Sequence, residues 1–303
     1  MKNLKRNVLA LAALVAFAGT GCKDKNDDIT LPDINGYPNS DAVASANLVA
    51  YFPLDGTGNE AKTGTAPTAS VNATYTAGVK GQSVSLNSGY LYYASPLGPL
   101  ASGQGFSLSA WVQVANNQVD GQAPPVANFP YSYFQSAIPG KLFGNLTGLV
   151  ETGAYKPTSD TMRVKSIYQD QAGGTQDNVN GFDNADIGVK WNVSKKAGTN
   201  QWAHIVTTYN PAGGTPAENV FQIYVDSVIV GNTDFAKRGT NSFKYTPGEI
   251  IIGGWYNNIP GKEINADNFT QPFKGKIDEI RLYSKLLTRD EITALYNLGR
   301  AGR

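Results

Sequence analysis

Carboxylates and amides supply most of the side chains in this sequence that could do chemistry. It has one histidine, His204, and one cysteine, Cys22. Histidine-rich metal catalysis is therefore closed to it. A Ser-His-Asp arrangement would have to use His204, whose setting, Trp202-Ala-His-Ile-Val206, is a strand interior and marks a satisfied core histidine. Neither a Gly-x-Ser-x-Gly elbow nor a phosphate-cradling glycine motif is present. Among the carboxylates, Glu151 stands alone. Asp278 and Glu279 are neighbours on one strand, so alternation sends them to opposite faces. Asp177, Asn178, Asn180, Asp183 and Asp186 form an acidic run whose spacing fails the EF-hand pattern, which leaves a solvated loop.

A second chemistry is stacking. Sugars present C–H faces to aromatic rings and hydroxyls to amides and carboxylates. Tyr131, Tyr133 and Phe134 fall in one long irregular stretch, 116–139, and Trp191 follows the acidic run. Trp255 and Tyr256 follow two glycines and precede Asn257-Asn258, a turn-like setting that predicts exposed rings. The candidate glycan-binding residues are thus Trp255, Tyr256, Asn257, Tyr131, Tyr133 and Trp191. Trp111 and Trp202, in regular strands, are assigned to the core.

The elements that must position these groups are almost all strands. Phe106, Leu108, Ala110 and Val112 alternate with polar or differently facing residues, as in a sheet strand. Trp202–Tyr209, Phe221–Val230, Glu249–Gly253 and Lys274–Tyr283 repeat the pattern, and Lys141–Val150 and Thr161–Tyr168 show it more weakly. Ser83–Leu86 and Tyr90–Tyr93 are separated by Asn87-Ser-Gly, a hairpin signal. One helix is expected, at the end. Thr288 and Glu291 form a capping box, Ile292, Leu295 and Tyr296 form an apolar face, and Gly299 is the stop.

The amino terminus has the form of an export signal. Lys2, Lys5 and Arg6 precede an uncharged apolar run, 8–18, that ends before Cys22. The segment resembles a bacterial lipobox of the Bacteroidota type, with Gly19 where leucine is usual. That resemblance implies lipidation at Cys22, an outer-membrane, surface-exposed location and a membrane held through the lipid alone. The expected organisation is a signal peptide over 1–21, a lipidated flexible linker over 22–45 and one domain over 46–303. A net charge of +1, with no basic cluster outside the signal, gives nucleic acid no footprint.

Four ordered blocks carry a family resemblance: Leu48-Val-Ala-Tyr-Phe-Pro-Leu-Asp-Gly, Phe106-Ser-Leu-Ser-Ala-Trp-Val, Gln201-Trp-Ala-His-Ile-Val-Thr-Thr-Tyr and Phe273-Lys-Gly-Lys-Ile-Asp-Glu-Ile-Arg-Leu-Tyr. With the closing helix they resemble the laminin-G-like, concanavalin A-like lectin/glucanase superfamily. The resemblance implies an all-β antiparallel sandwich, a jelly roll with a short C-terminal helix. It also implies a structural Ca²⁺ held by Asp55 and Asp278 where the first strand meets the last; an ion pair of Asp278 with Lys274, Lys276 or Arg281 is the alternative. The Glu-x-Asp-x-x-Glu motif of the superfamily's retaining glycosidases is missing. The resulting expectation is a non-catalytic surface lipoprotein that binds a polysaccharide or glycoprotein. An adhesion module without sugar specificity is the alternative, and a glycoside hydrolase with atypical carboxylates comes third.

Overall fold

The computed structural model describes residues 31–96, 98, 100–119, 130–179, 194–198, 200–213, 217–230, 236–264 and 269–303. Cys22, the signal segment, Trp191, Asn180, Asp183 and Asp186 lie outside the described residues. Among the described residues no helix is long and apolar enough to cross a membrane.

The strands of the first half are β1 (Leu48–Phe52), β2 (Ala69–Ala77), β3 (Gln82–Tyr93), β4 (Phe106–Gln113), β5 (Tyr131–Ile138), β6 (Lys141–Val150), β7 (Thr161–Met162) and β8 (Val164–Gln169). The second half contributes β9 (Thr175–Val179), β10 (Ser194–Lys195), β11 (Ala203–Asn210), β12 (Val220–Val225), β13 (Val228–Ile229), β14 (Ile250–Ile252) and β15 (Phe273–Tyr283), followed by helix α1 (Arg289–Arg300). Pairing is antiparallel throughout these strands, in the order β13-β12-β11-β4-β15-β3-β14-β5-β6-β8-β9, with β1 on β15 and β2 on β3.

The order is continuous because β3 serves two layers. Its first part pairs with β15 through Val84↔Ile277, and its last residues, Leu91–Tyr93, pair with β14. The sheet folds over itself there. Asn87-Ser-Gly does not make the expected hairpin: Ser88 takes φ 54, and β2 answers with a bulge at Asn72, φ 48. The two kinks bend a continuous ribbon, and Gly89 lets it pass close to the Val71 carbonyl.

The core lies between the layers. Phe106, Leu108, Ala110 and Val112 of β4 all point into it, as the alternation predicts. Across the gap, Tyr168 of β8 meets Tyr209 at 5.3 Å and Phe221 at 4.8 Å between ring centroids, and Ser166 bonds Thr207 at 2.7 Å. Burying so many aromatic side chains, each worth about 1.5–3 kcal/mol of transfer free energy, supplies the driving force that no disulfide can add here.

Helix α1 covers the outer face of one layer. Its capping box forms as expected: Glu291 N donates to Thr288 Oγ1 at 3.2 Å and Thr288 N donates to Glu291 Oε2 at 2.8 Å. Ile292 and Leu295 are buried, and Tyr296 stacks on Trp111 at 5.8 Å. Gly299 is not the stop. The helix runs on to Arg300, and Gly299 brings it against the Trp111 indole, where a Cβ would stand 2.6 Å from Cζ2.

Two further expectations change. The compact unit starts at Asp33, not at 46. The second half of the expected linker is ordered because Asp41 ion-pairs with Arg281 at 2.6 Å and Ser40 N donates to the Arg303 carbonyl at 3.3 Å. The acidic run is not simply a loop either. Asp177 and Asn178 sit on β9, where Asp177 pairs with Lys165 at 2.7 Å and buried Asn178 donates to the Phe221 carbonyl at 2.6 Å.

Candidate ligand-binding site

One end of the sandwich holds a cavity of about 460 Å³. Its walls come from β3, β4 and β15 of one layer, from the segment after β4, and from Tyr131, the first residue of β5. A cross-strand row supplies Ser85, Lys276 and Gln113, with Asn87 opposite Lys274 in the next row. These residues alternate with Val84, Leu86 and Ile277 of the core, so the same period of two builds core and cavity wall. Gly275, at φ 149, lets β15 lie against β4. A Cβ there would collide with the Gln113 carbonyl and reach the Phe273 ring at 2.9 Å.

Tyr131 is half-buried, and its ring lies 5.5 Å from that of Phe273. Asn117 Nδ2 donates to its hydroxyl at 3.1 Å, which leaves the phenol hydrogen free to donate elsewhere. Asn116 is 3 % exposed, and its Nδ2 donates to the Ser159 and Thr161 carbonyls at 2.8 and 2.9 Å. Among the described residues the side-chain oxygens of Asn116 and Asn117 are buried without a hydrogen-bond partner. A buried polar atom left in that state costs about 1–3 kcal/mol. Backbone bonds from Asn117 N to Thr152 O and Gln118 N to Tyr155 O fix both asparagines in place.

A polar cluster occupies the outer face of the same layer, between this cavity and α1. Asp278 and Glu279 were expected on opposite faces. A bulge between Asp278 and Arg281, with Glu279 at φ 52, breaks the alternation and leaves both carboxylates buried. Glu279 receives the Tyr51 hydroxyl at 2.6 Å and ion-pairs with Arg281 at 2.6 Å. Arg281 lies 4.1 Å over the Tyr51 ring. Burial opposes its charge most strongly, but Glu279, Tyr51, Tyr283 and Asp41 together hold Arg281 above its ordinary value. Beside it, His204 bonds Ser109 Oγ through Nε2 at 2.8 Å, and its ring centroid lies 4.9 Å from that of Trp111. Burial, helped by the Arg281 charge, lowers His204 to about 3, so it is neutral and has no proton to exchange near neutrality.

Of the described residues that sequence put forward for ligand contact, only Tyr131 lines this cavity. Trp255 is fully buried, donates Nε1–H to the Pro130 carbonyl at 3.2 Å and packs between Phe143 and Phe269. Tyr256 is 6 % exposed, and Tyr133 is completely enclosed with its ring against Gly148. Asn257 is half-buried, and its side chain holds its own turn, accepting from Ile264 N at 2.7 Å. The reason is Gly253-Gly254. A Cβ on Gly253 would run into Leu86, and one on Gly254 would stand 3.0 Å from Ile251 and Tyr90. The glycines drive the chain into the sandwich instead of lifting it out. Trp202 departs in the other direction: it is half-buried and lines a second cavity with Lys196, Tyr296 and Arg300.

A family model described as concanavalin A-like lectin/glucanases superfamily matches residues 87–293. The chain belongs to this superfamily. No match was found among curated proteins. Among solved structures, the binding domain of Paraclostridial Mosquitocidal Protein 1 superposes with a TM-score of 0.51 at 15% identity, over 84% of this chain and 52% of that one. The binding domain of botulinum neurotoxin serotype D/C does so with a TM-score of 0.51 at 14% identity, over 84% and 53%. Domain 4 of AbnA, a GH43 extracellular arabinanase from Geobacillus stearothermophilus solved with arabinotriose, gives a TM-score of 0.48 at 18% identity, over 82% and 98%. The chain spans about half the length of the two toxin domains, and at these identities the likeness is one of fold.

The carboxylates expected to hold calcium in this lectin/glucanase domain, Asp55 and Asp278, grip one turn from two sides. Asp55 Oδ1 accepts from Gln82 N at 2.5 Å, and Asp278 Oδ2 accepts from Val79 N at 2.7 Å and Lys80 N at 3.3 Å. Gly78 and Gly81 make room for these oxygens. Asp278 pairs with neither Lys274 nor Lys276 nor Arg281, and among the described residues its Oδ1 is buried without a partner. Burial first, then the Glu279 charge, pushes Asp278 up to about 8 against the pull of the two N–H donors. An orphaned hard oxygen beside a second carboxylate fits a calcium ion. Among the described residues no third His, Cys, Asp or Glu joins them, so the other donors would be carbonyls or water. The nearby Glu60 is committed to its own loop, where it accepts from Tyr51 N and Thr63 N at 2.8 Å each.

Proposed function

We propose that this chain is a non-catalytic glycan-binding module and that the cavity around Tyr131 is its binding site. The observation that carries the reading is a half-exposed tyrosine ring on a wall that also contains Asn87, Gln113, Asn116 and Asn117, where among the described residues the Asn116 and Asn117 side-chain oxygens are buried without a partner. A pyranose fits such a wall: its C–H face packs on the ring, and its hydroxyls bond the side-chain amides. Among the described residues the cavity wall contains no Asp or Glu, so they offer binding without a general acid or a nucleophile. Lipidation at Cys22 would tether the domain to the outer membrane, with the glycan or glycoprotein captured from outside. Calcium at Asp55 and Asp278 would be structural, holding the end of β1 to β15 through the 78–82 turn.

Isothermal titration of the mature chain against a panel of soluble polysaccharides tests the site. Saturable binding is expected, weakened at least tenfold by Tyr131→Ala. Absence of binding to any polysaccharide, together with capture of a protein partner, would support the adhesion reading instead. For the metal, Ca²⁺ at about 100 times its dissociation constant contributes about 2.7 kcal/mol, or roughly 5–10 °C in Tm. Asp278→Asn should abolish that shift, and a wild-type Tm unaffected by calcium or chelator would count against the site.

A further inference from the structure

We propose that the Tyr131 cavity selects acidic glycans, with Lys274 and Lys276 as the residues that recognise their charge. This rests on the glycan-binding reading and adds the ligand's chemical class. The two lysines are separated by one residue on β15, so they stand on the same face, roughly 7 Å apart along the strand. Both line the cavity. Lys274 is exposed and Lys276 half-buried. Among the described residues neither pairs with a carboxylate, as lysines 80, 165, 196, 237, 262 and 285 do; Lys62, Lys141 and Lys244, outside the cavity wall, are likewise without one. The chain as a whole carries a net charge of only +1, so an unneutralised pair of like charges is a local feature and not a general basicity.

Among the described residues the rest of the wall is neutral. Asn87, Gln113, Asn116 and Asn117 offer amides to hydroxyls, and Tyr131 offers a ring to a sugar face. Two like charges on one strand face repel each other until an anion lies between them. Lysine ammonium groups are point charges with rotatable donors, so they accept a uronate carboxylate or a sulfate ester on similar terms. The shared ligand chemistry is therefore an anionic group on a sugar ring.

The test is titration of the mature chain with two matched pairs: polygalacturonate against its methyl ester, and dextran sulfate against dextran. Tighter binding of the charged member, by about tenfold at low ionic strength, is expected, with the advantage shrinking as salt is raised. Which pair shows the larger advantage separates carboxylate from sulfate. The double variant Lys274→Gln, Lys276→Gln should bind charged and neutral members alike while keeping the wild-type Tm, because both side chains reach solvent. Equal binding of charged and neutral members by the wild type would overturn the inference, as would an advantage that survives in the double variant. Either result leaves the glycan site standing if Tyr131→Ala still weakens binding; failure of every polymer to bind removes both.

Discussion

His204 is the only histidine, which makes its burial measurable by linkage. Its folded value of about 3 lies below the 6.5 of the unfolded chain. Between these limits the unfolded chain binds a proton that the folded chain refuses. Stability is therefore fully present above pH 6.5 and is lost as the pH falls toward 3. At about 1.4 kcal/mol per tenfold change, the full loss is about 5 kcal/mol, and the loss at pH 5 is about 2 kcal/mol. His204→Gln removes the titrating group and keeps an amide for Ser109 Oγ. Urea denaturation of both proteins at pH 7 and pH 5 is the assay. At pH 7 the variant is expected to be the less stable, since it loses the ring beside Trp111. Its deficit should shrink by about 2 kcal/mol at pH 5, with unchanged m-values. A deficit of the same size at both pH values would refute the reasoning, because it would mean that His204 takes up its proton in the folded state.

Two substitutions probe the elements around the site. Glu279→Gln leaves the Arg281 guanidinium buried with Asp41 as its remaining carboxylate partner, and a loss of roughly 3 kcal/mol in thermal or urea unfolding is expected; a loss below about 1 kcal/mol would contradict the buried pairing. Gly275→Ala forces a Cβ onto the Gln113 carbonyl at a backbone angle that only glycine holds easily, so a loss of about 1–3 kcal/mol and weaker polysaccharide binding are expected together. Unchanged melting and binding would mean that β15 does not run so close to β4.

The layers and the closing helix were legible because they rest on local rules. Strict alternation in 106–112 and the Thr288–Glu291 capping box hold in the structure. The site was much less legible. Its wall is assembled from 85–87, 113–117, 131 and 274–276, a few residues from each of four distant stretches, so no motif announces it. The visible trace is Lys274-Gly-Lys276, where two lysines hold the outward positions between the core residues Phe273 and Ile277. Trp255 and Tyr256 misled because adjacent glycines signal a turn in sequence, while here they serve close packing against Leu86, Ile251 and Tyr90. Asp278 and Glu279 misled because one left-handed residue in a bulge cancels the period of two.

The most direct measurement is a ¹H–¹⁵N shift titration of the protein with oligosaccharides of the polysaccharide panel. Saturable shifts are expected at the side-chain amides of Asn116 and Asn117 and at the backbone of 274–276, with the Trp202 and Arg300 region unmoved. Saturable binding that shifts Trp202 and Arg300 and leaves Asn116, Asn117 and β15 unmoved would contradict the assignment of the Tyr131 cavity as the glycan site.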